Sequence, residues 1–146
     1  MAEQVAIRMR REHQKATIVS IFVTYSKTEM KQPINAQMKI EPTNHTRLLT
    51  DTVLTLFRKK YTSGAVRGIA VNYSGFVDER YALISLFDDI EATEKEENLQ
   101  RTIDHIRDQF GFLAVQKGTA LLDSSRNIAR SKLIGGHSAG GLEGLQ

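Results

Sequence analysis

The residues with the most recognisable catalytic spacing lie near the C-terminus, in Gly136-His137-Ser138-Ala139-Gly140. The pattern G-x-S-x-G is that of a nucleophile elbow, in which a serine on a sharp strand-to-helix turn attacks an acyl group with help from an acid and a later histidine. Here the preceding segment is short, the sequence ends six residues after Gly140, and no histidine follows. The pattern therefore argues against an esterase rather than for one.

The remaining residues with chemical potential form no catalytic or metal-binding set. The histidines His13, His45, His105 and His137 lack metal-ligand spacing. The paired acids Asp88-Asp89 precede a helical pattern, where carboxylates favour the positive end of the helix dipole. No cysteine, Walker loop or GxGxxG is present, so disulfides and thiolate metal sites are excluded. We predict no catalytic residue, no metal site and no cofactor in this chain.

Charge is distributed unevenly along the sequence although the net charge is only +3. Residues 1–61 carry 11 Lys and Arg against 5 Asp and Glu, whereas residues 88–110 carry 3 against 8. A basic half can hold a polyanion such as nucleic acid, while an acidic helix must face elsewhere. Two solvated faces of opposite charge are the alternative interpretation.

Hydrophobic periodicity predicts alternating helices and strands in a chain of 146 residues. Period-2 patterns and β-branched residues predict strands, whereas stripes of apolar residues three or four apart predict helices. The predicted helices cover 2–14, 45–60 and 94–110, with an N-cap at Pro42-Thr43-Asn44. The predicted strands cover 16–25, 33–41 and 65–74, with a further strand or an extended peptide at 81–87 and a short strand within 112–122. The pattern indicates an α+β fold, a small, mostly antiparallel sheet with helices packed on one face.

The opposite face of that sheet carries small and amide side chains that would let a phosphate chain approach the strands closely. The residues predicted on this face are Ser20, Thr24, Asn35, Gln37, Lys39, Asn72 and Ser74. Flanking cations are supplied by Lys15, Lys27, Lys31 and Arg67. We predict that these eleven residues bind DNA. An ordinary solvated sheet face is the competing interpretation.

Several segments, in order, resemble the little-finger domain of Y-family DNA polymerases, and in particular the UmuC-like (ImpB/MucB/SamB) branch. They are REHQKATIVSIFVTYSK, IEPTN, LFRKKY, AVRGIAVNYSGF, ISLFDD, LQRTIDHIRDQFG and SKLIGGH. The resemblance implies a sheet that lies in the major groove and grips primer–template DNA. The parent would be an error-prone translesion polymerase, a DNA-directed nucleotidyltransferase of the DNA-damage (SOS) response. Its catalytic palm, fingers and thumb would be further partners, and Mg²⁺ is expected only there.

The same resemblance implies a sliding-clamp motif at Leu83-Ile84-Ser85-Leu86-Phe87, where the family has Gln in place of Leu83. The predicted clamp-binding residues are Ile84, Ser85, Leu86 and Phe87, and a plain buried strand is the alternative. Family members also begin with a strand upstream of the first helix. We expect the edge left without it to be filled by residues 112–122 or by another molecule, which includes a homodimer through that edge.

These patterns predict one little-finger domain over residues 1–122, which includes the clamp-motif segment 81–90 and the acidic helix 91–110. A flexible tail is expected over 123–146. The N-terminus lacks a signal-peptide layout and no apolar run approaches a membrane span, so we expect a cytoplasmic, nucleoid-associated protein without membrane contact. The competing function is a protein-interaction module that docks a partner through the acidic helix 91–109.

Overall fold

The computed structural model describes residues 2–81, 90–123, 125 and 128. The chain divides into two compact units, Ala2–Ile84 and Ser85–Gln146. The first contains α1 (Ala2–Arg11), β1 (Gln14–Tyr25), β2 (Ile34–Thr43), α2 (Thr46–Lys60), β3 (Val66–Ser74), β4 (Val77–Asp78) and the 3-10 helix Glu79–Tyr81. The second contains α3 (Ile90–Phe110) and two 3-10 helices, Phe112–Ala114 and Gly118–Leu121.

The sheet of the first unit is antiparallel, with β1 in the centre, β2 on one side and β3 on the other. The two-residue strand β4 pairs with the start of β1. Register shifts interrupt β1 between Ala16 and Ile18 and between Thr24 and Tyr25. These observations confirm the predicted α+β fold with a small antiparallel sheet.

One face of the sheet carries the hydrophobic core. Val19, Ile21 and Val23 alternate along β1 and are at most 1% exposed, because the side chains of a strand point to opposite faces in turn. They pack against Ala6 and Met9 of α1 and Leu49 and Leu56 of α2. Burying each large aliphatic side chain contributes about 1.5–3 kcal/mol. The apolar stripe predicted for α2 is therefore the one that holds this helix on the sheet.

The predicted N-cap of α2 is wrong. The residue before the helix is His45, whose side chain makes no capping hydrogen bond, and the Thr43 hydroxyl accepts a hydrogen bond from the His45 backbone N–H at 3.1 Å. The buried Asn44 side chain instead donates to the Gln14 carbonyl and to Glu79, both at 3.4 Å. The Asn44 amide thus joins β1 to the segment after β4.

The predicted strand within residues 112–122 is also wrong, because these residues form the two 3-10 helices. The guanidinium of Arg107, 3% exposed, donates from Nε and Nη2 to the Val115 carbonyl at 3.0 and 2.7 Å and lies 4.8 Å from the Phe112 ring centroid. This contact folds the segment back on α3. The strand or extended peptide predicted at 81–87 lies outside the described residues except for Tyr81.

The acidic helix α3 exposes part of its predicted apolar stripe. Leu99 is 56% and Phe110 is 73% exposed, whereas Ile103 and Ile106 are half-buried. Within the described part of the chain, no helix has the length and apolar character needed to cross a membrane.

Candidate nucleic-acid interface

The sheet face opposite the core, here called the open face, is organised by the register of three strands. Its cross-strand rows, from β2 through β1 to β3, are Lys39–Ile18–Ser74, Gln37–Ser20–Asn72 and Asn35–Phe22–Ala70, followed by the pair Thr24–Gly68. All seven polar residues predicted for this face therefore lie together on it. Asn35, Gln37, Lys39 and Asn72 are exposed, and Ser20, Thr24 and Ser74 are half-buried.

Hydroxyl groups on the central strand lie low on the open face because they bond to the neighbouring strand. The Ser20 hydroxyl donates to the Asn72 carbonyl, and the Thr24 hydroxyl donates to the Gly68 carbonyl, both at 3.4 Å. A Cβ at Gly68 would meet the Thr24 Oγ1 at 3.0 Å. The absence of a side chain at Gly68 therefore lets Thr24 turn across β3 and keeps this end of the face flat.

Phe22 is an exposed residue of the open face that the predicted DNA contacts do not include. It lies on β1 between Asn35 and Ala70, and 44% of it is exposed. The signal was present, because Phe22 falls on the same alternation as Ser20 and Thr24. The face has a second large apolar member, Ile18, which is half-buried, whereas the Phe22 ring is exposed.

The predicted flanking cations occupy different environments. Lys27, in the turn after β1, and Arg67, in β3, are exposed. Lys15 is half-buried where β1 pairs with Val77 of β4. The Lys31 ammonium donates to the Ser63 carbonyl and hydroxyl, both at 2.7 Å, and lies 5.7 Å from the Tyr25 ring centroid. Lys31 therefore already has local partners, which an incoming phosphate would have to replace.

An aromatic stack, not foreseen from the sequence, supports the end of the sheet near Lys31. The Tyr61 ring stacks on Phe57 at a centroid distance of 4.8 Å and on Tyr25 at 6.4 Å. The Tyr61 hydroxyl donates to the Gly64 carbonyl at 2.8 Å. This stack ties the end of α2 to the end of β1, so the loops that carry Lys27 and Lys31 leave from a fixed base.

The acidic group of Asp78 in β4 is paired with a neighbouring cation. Asp78 accepts hydrogen bonds from the Arg80 side chain at 2.8 and 3.0 Å. These bonds, followed by one from the Arg80 backbone N–H, lower the pKa of the Asp78 carboxyl to about 2. Glu79 lies 3.7 Å from His13 Nδ1. The Asp78 carboxylate is thus ionised at neutral pH but its charge is matched, which limits repulsion of a polyanion.

Neither a metal centre nor the clamp motif can be located on the described structure. No three His, Asp or Glu side chains within residues 2–81 and 90–123 are grouped so that they could hold a metal ion. The predicted clamp-binding residues Ile84, Ser85, Leu86 and Phe87 lie outside the described residues. Their role and the absence of a cofactor stay predictions.

Comparison with known proteins gives consistent relatives. One is "DNA polymerase IV 2" of Halalkalibacterium halodurans, 29% identical over 140 residues, which are 94% of this chain and 33% of the relative. UvrX of Bacillus subtilis, whose name assigns it to UV-damage repair, is 29% identical over 140 residues. The match covers 95% of this chain and 33% of the UvrX chain. "DNA polymerase IV 2" of Bacillus subtilis is 28% identical over 138 residues, and the match covers 94% of this chain and 33% of that relative.

The chain thus spans about a third of the length of these curated relatives. No solved structure matches it. The model of the impB/mucB/samB family C-terminal domain matches residues 1–86, a range that contains α1, α2 and the whole sheet. The chain therefore belongs to the impB/mucB/samB family, whose C-terminal domain is the unit that presents the open face.

Proposed function

We propose that this chain is the DNA-gripping, non-catalytic part of an error-prone translesion DNA polymerase that acts in DNA-damage repair. The observation that carries the proposal is the open face, where three strands present polar side chains together with the cation Lys39, without a covering helix of the first unit. Names of relatives that denote DNA polymerase IV and UV-damage repair support it. Catalysis would belong to palm, fingers and thumb domains of a larger protein, and Mg²⁺ to those domains.

The mechanism proposed for the grip is positional. Neighbouring strands lie about 4.8 Å apart, so β2 and β3 are separated by about 10 Å. The major groove of B-DNA is about 12 Å wide. With the open face in the groove, β2 would run along one phosphate wall with Lys39 exposed towards it. Arg67 is exposed next to Gly68 but on the alternation of Tyr73, so it would reach the other wall around the edge of β3. Such contacts hold DNA without reading its sequence.

The test is a titration of the chain with primer–template DNA at rising salt. The double variant Lys39→Ala/Arg67→Ala should weaken binding to all sequences alike and make the salt dependence shallower by about two, because each lost phosphate contact removes about one unit of slope. The matched control Lys59→Ala/Lys60→Ala removes two exposed charges from α2, on the core side of the sheet. Equal effects of both pairs, or no binding at low salt, would refute the proposal.

A second part of the proposal is docking on a sliding clamp. Ile84, Leu86 and Phe87 would insert into an apolar pocket of the clamp, as the family resemblance implies, with affinity lowered by Leu83 in the place of Gln. The variant Leu86→Ala/Phe87→Ala should lose binding to a bacterial sliding clamp while its circular dichroism and its DNA binding persist. A melted spectrum would instead show that these residues belong to a core.

Exposed apolar residues on α3 favour a second candidate function, a protein-interaction module. Leu99 and Phe110 lie on this acidic helix with more than half of their surface exposed. If the chain binds no DNA at low salt, docking of a protein through the acidic helix becomes the preferred function. If DNA binding is present and survives Leu99→Ser and Phe110→Ser, the grip does not depend on this helix.

A further inference from the structure

We propose that Phe22 contacts the 5-methyl group of a thymine in the major groove, so that the open face favours A·T-containing duplex over its methyl-free equivalent. This inference rests on the proposed DNA grip and adds base contact to a surface otherwise suited to phosphates. The juxtaposition that carries it is a single exposed aromatic ring on the central strand, with the cation Lys39 on the same face of β2 and the amide of Asn35 directly beside the ring.

Phe22 stands above its neighbours on the open face. Its cross-strand partners are Asn35 and the small Ala70, and the residues two positions away on β1 are Ser20 and Thr24. The hydroxyls of these last two residues are turned onto β3 carbonyls at 3.4 Å. The ring therefore projects from a low surface, and its 44% exposure is not the edge of a larger exposed core.

The position of the ring across the sheet matches the position of bases across the groove. β1 is central, with Lys39 on β2 and Arg67 on β3. If the outer strands follow the phosphate walls, β1 lies over the floor of the groove, where base edges are displayed. A side chain on β1 then meets bases, whereas the cations meet phosphates.

The chemistry of that floor selects the ligand. The thymine 5-methyl group is the apolar feature that base edges present in the major groove, and Phe is one of the side chains that contact it. Asn35, exposed beside Phe22 in the same row, carries an amide of the kind that pairs with adenine N6 and N7. A ring and an amide side by side suit an A·T pair.

The deciding experiment compares two primer–template duplexes that differ only by deoxyuridine in place of thymidine. This change removes the methyl groups and keeps every hydrogen-bonding group and every phosphate. With the full chain at one fixed salt concentration, the thymidine duplex should bind about fourfold more tightly for each methyl group that becomes buried. Phe22→Ser should abolish the difference and leave the salt slope unchanged. Leu54→Ser, a change at a residue of α2 that is 41% exposed, should preserve the difference.

The outcomes separate this inference from the proposed function. If neither duplex binds at low salt, the DNA grip itself is refuted. If both duplexes bind the unchanged protein equally, the grip stands and the thymine contact is overturned, whether or not any variant folds. If Phe22→Ser is folded by circular dichroism and still prefers thymidine, the methyl group is contacted elsewhere and the assignment to Phe22 fails.

Discussion

The turn between β3 and β4 depends on a glycine whose replacement should be measurable. Gly75 has a φ of 64°, in the left-handed region that costs other residues about 1–2 kcal/mol. The Thr17 hydroxyl donates to the Gly75 carbonyl at 2.8 Å, and a Cβ at Gly75 would lie 2.2 Å from Thr17 Oγ1. Gly75→Ala must therefore also displace Thr17 and break this bond, a loss of about 1 kcal/mol. We expect a total destabilisation of about 2–3 kcal/mol.

Tyrosine fluorescence in urea can measure this loss in the first unit alone. The sequence has no tryptophan, and its four tyrosines, Tyr25, Tyr61, Tyr73 and Tyr81, precede the second unit. With a urea dependence of about 1–3 kcal/mol per molar, Gly75→Ala should lower the unfolding midpoint by about 0.7–3 M. Gly118→Ala is the control, because a Cβ there meets nothing within 4 Å, and its tyrosine transition should not move.

A double-mutant cycle separates the backbone strain from the collision with Thr17. In a Thr17→Ala background the hydroxyl is already absent, so Gly75→Ala should cost only the strain of about 1–2 kcal/mol. An unchanged midpoint for Gly75→Ala would refute the strained turn. An identical loss in both backgrounds would show that the Thr17 contact contributes nothing to stability.

Three further changes probe groups whose environments are defined by the fold. Burial raises the pKa of the Tyr73 phenol above its usual value. The neutral phenol therefore stabilises the fold fully below about pH 10, and this contribution is lost as the pH rises further. Tyr73→Phe should make the urea unfolding midpoint fall less steeply at alkaline pH. Arg80→Ala should raise the pKa of the Asp78 carboxyl, measured by carboxyl NMR, from about 2 towards its ordinary value. In the unchanged protein, the stability that the ionised Asp78 contributes should be lost as the pH falls towards 2. Arg107→Lys should destabilise the second unit by about 1.5–3 kcal/mol because the forked donation to a carbonyl is lost, measured by far-UV circular dichroism with the tyrosine transition unchanged.

The sequence was most informative where a short period controls the structure. Alternation along β1 and β2 predicted which residues face the helices, since a shift of one position would expose every apolar side chain. Val19, Ile21 and Val23 are buried as this pattern requires, and the seven polar residues share the other face. The helix stripe containing Leu49 and Leu56 was equally readable because both residues are fully buried.

Hydrogen bonds between residues far apart in the sequence could not be predicted from local patterns. Asn44 looked like a helix cap, yet its side chain bonds to residues 30 and 35 positions away. Arg107 lies in the last turn of α3, where a cation suits the helix dipole, yet its guanidinium is buried and donates to a carbonyl eight positions further on. In both cases a local preference competed with a tertiary hydrogen bond, and a buried polar group follows the partner that satisfies it.

If the open face holds DNA as proposed, its described cations limit how strongly ionic contacts can contribute. Lys31 is exposed but engaged with Ser63, and Lys27, Lys39 and Arg67 are the other exposed cations among the predicted contacts. Three neutralised phosphates give a salt slope of only about −2.7 on duplex DNA. Affinity then has to come from contacts that salt does not weaken, such as Phe22 on thymine, or from attachment to a larger DNA-bound protein that raises the local concentration of DNA. A surface that makes few ionic contacts with DNA suits a domain that must move along the duplex, because few of these contacts have to be broken at each step.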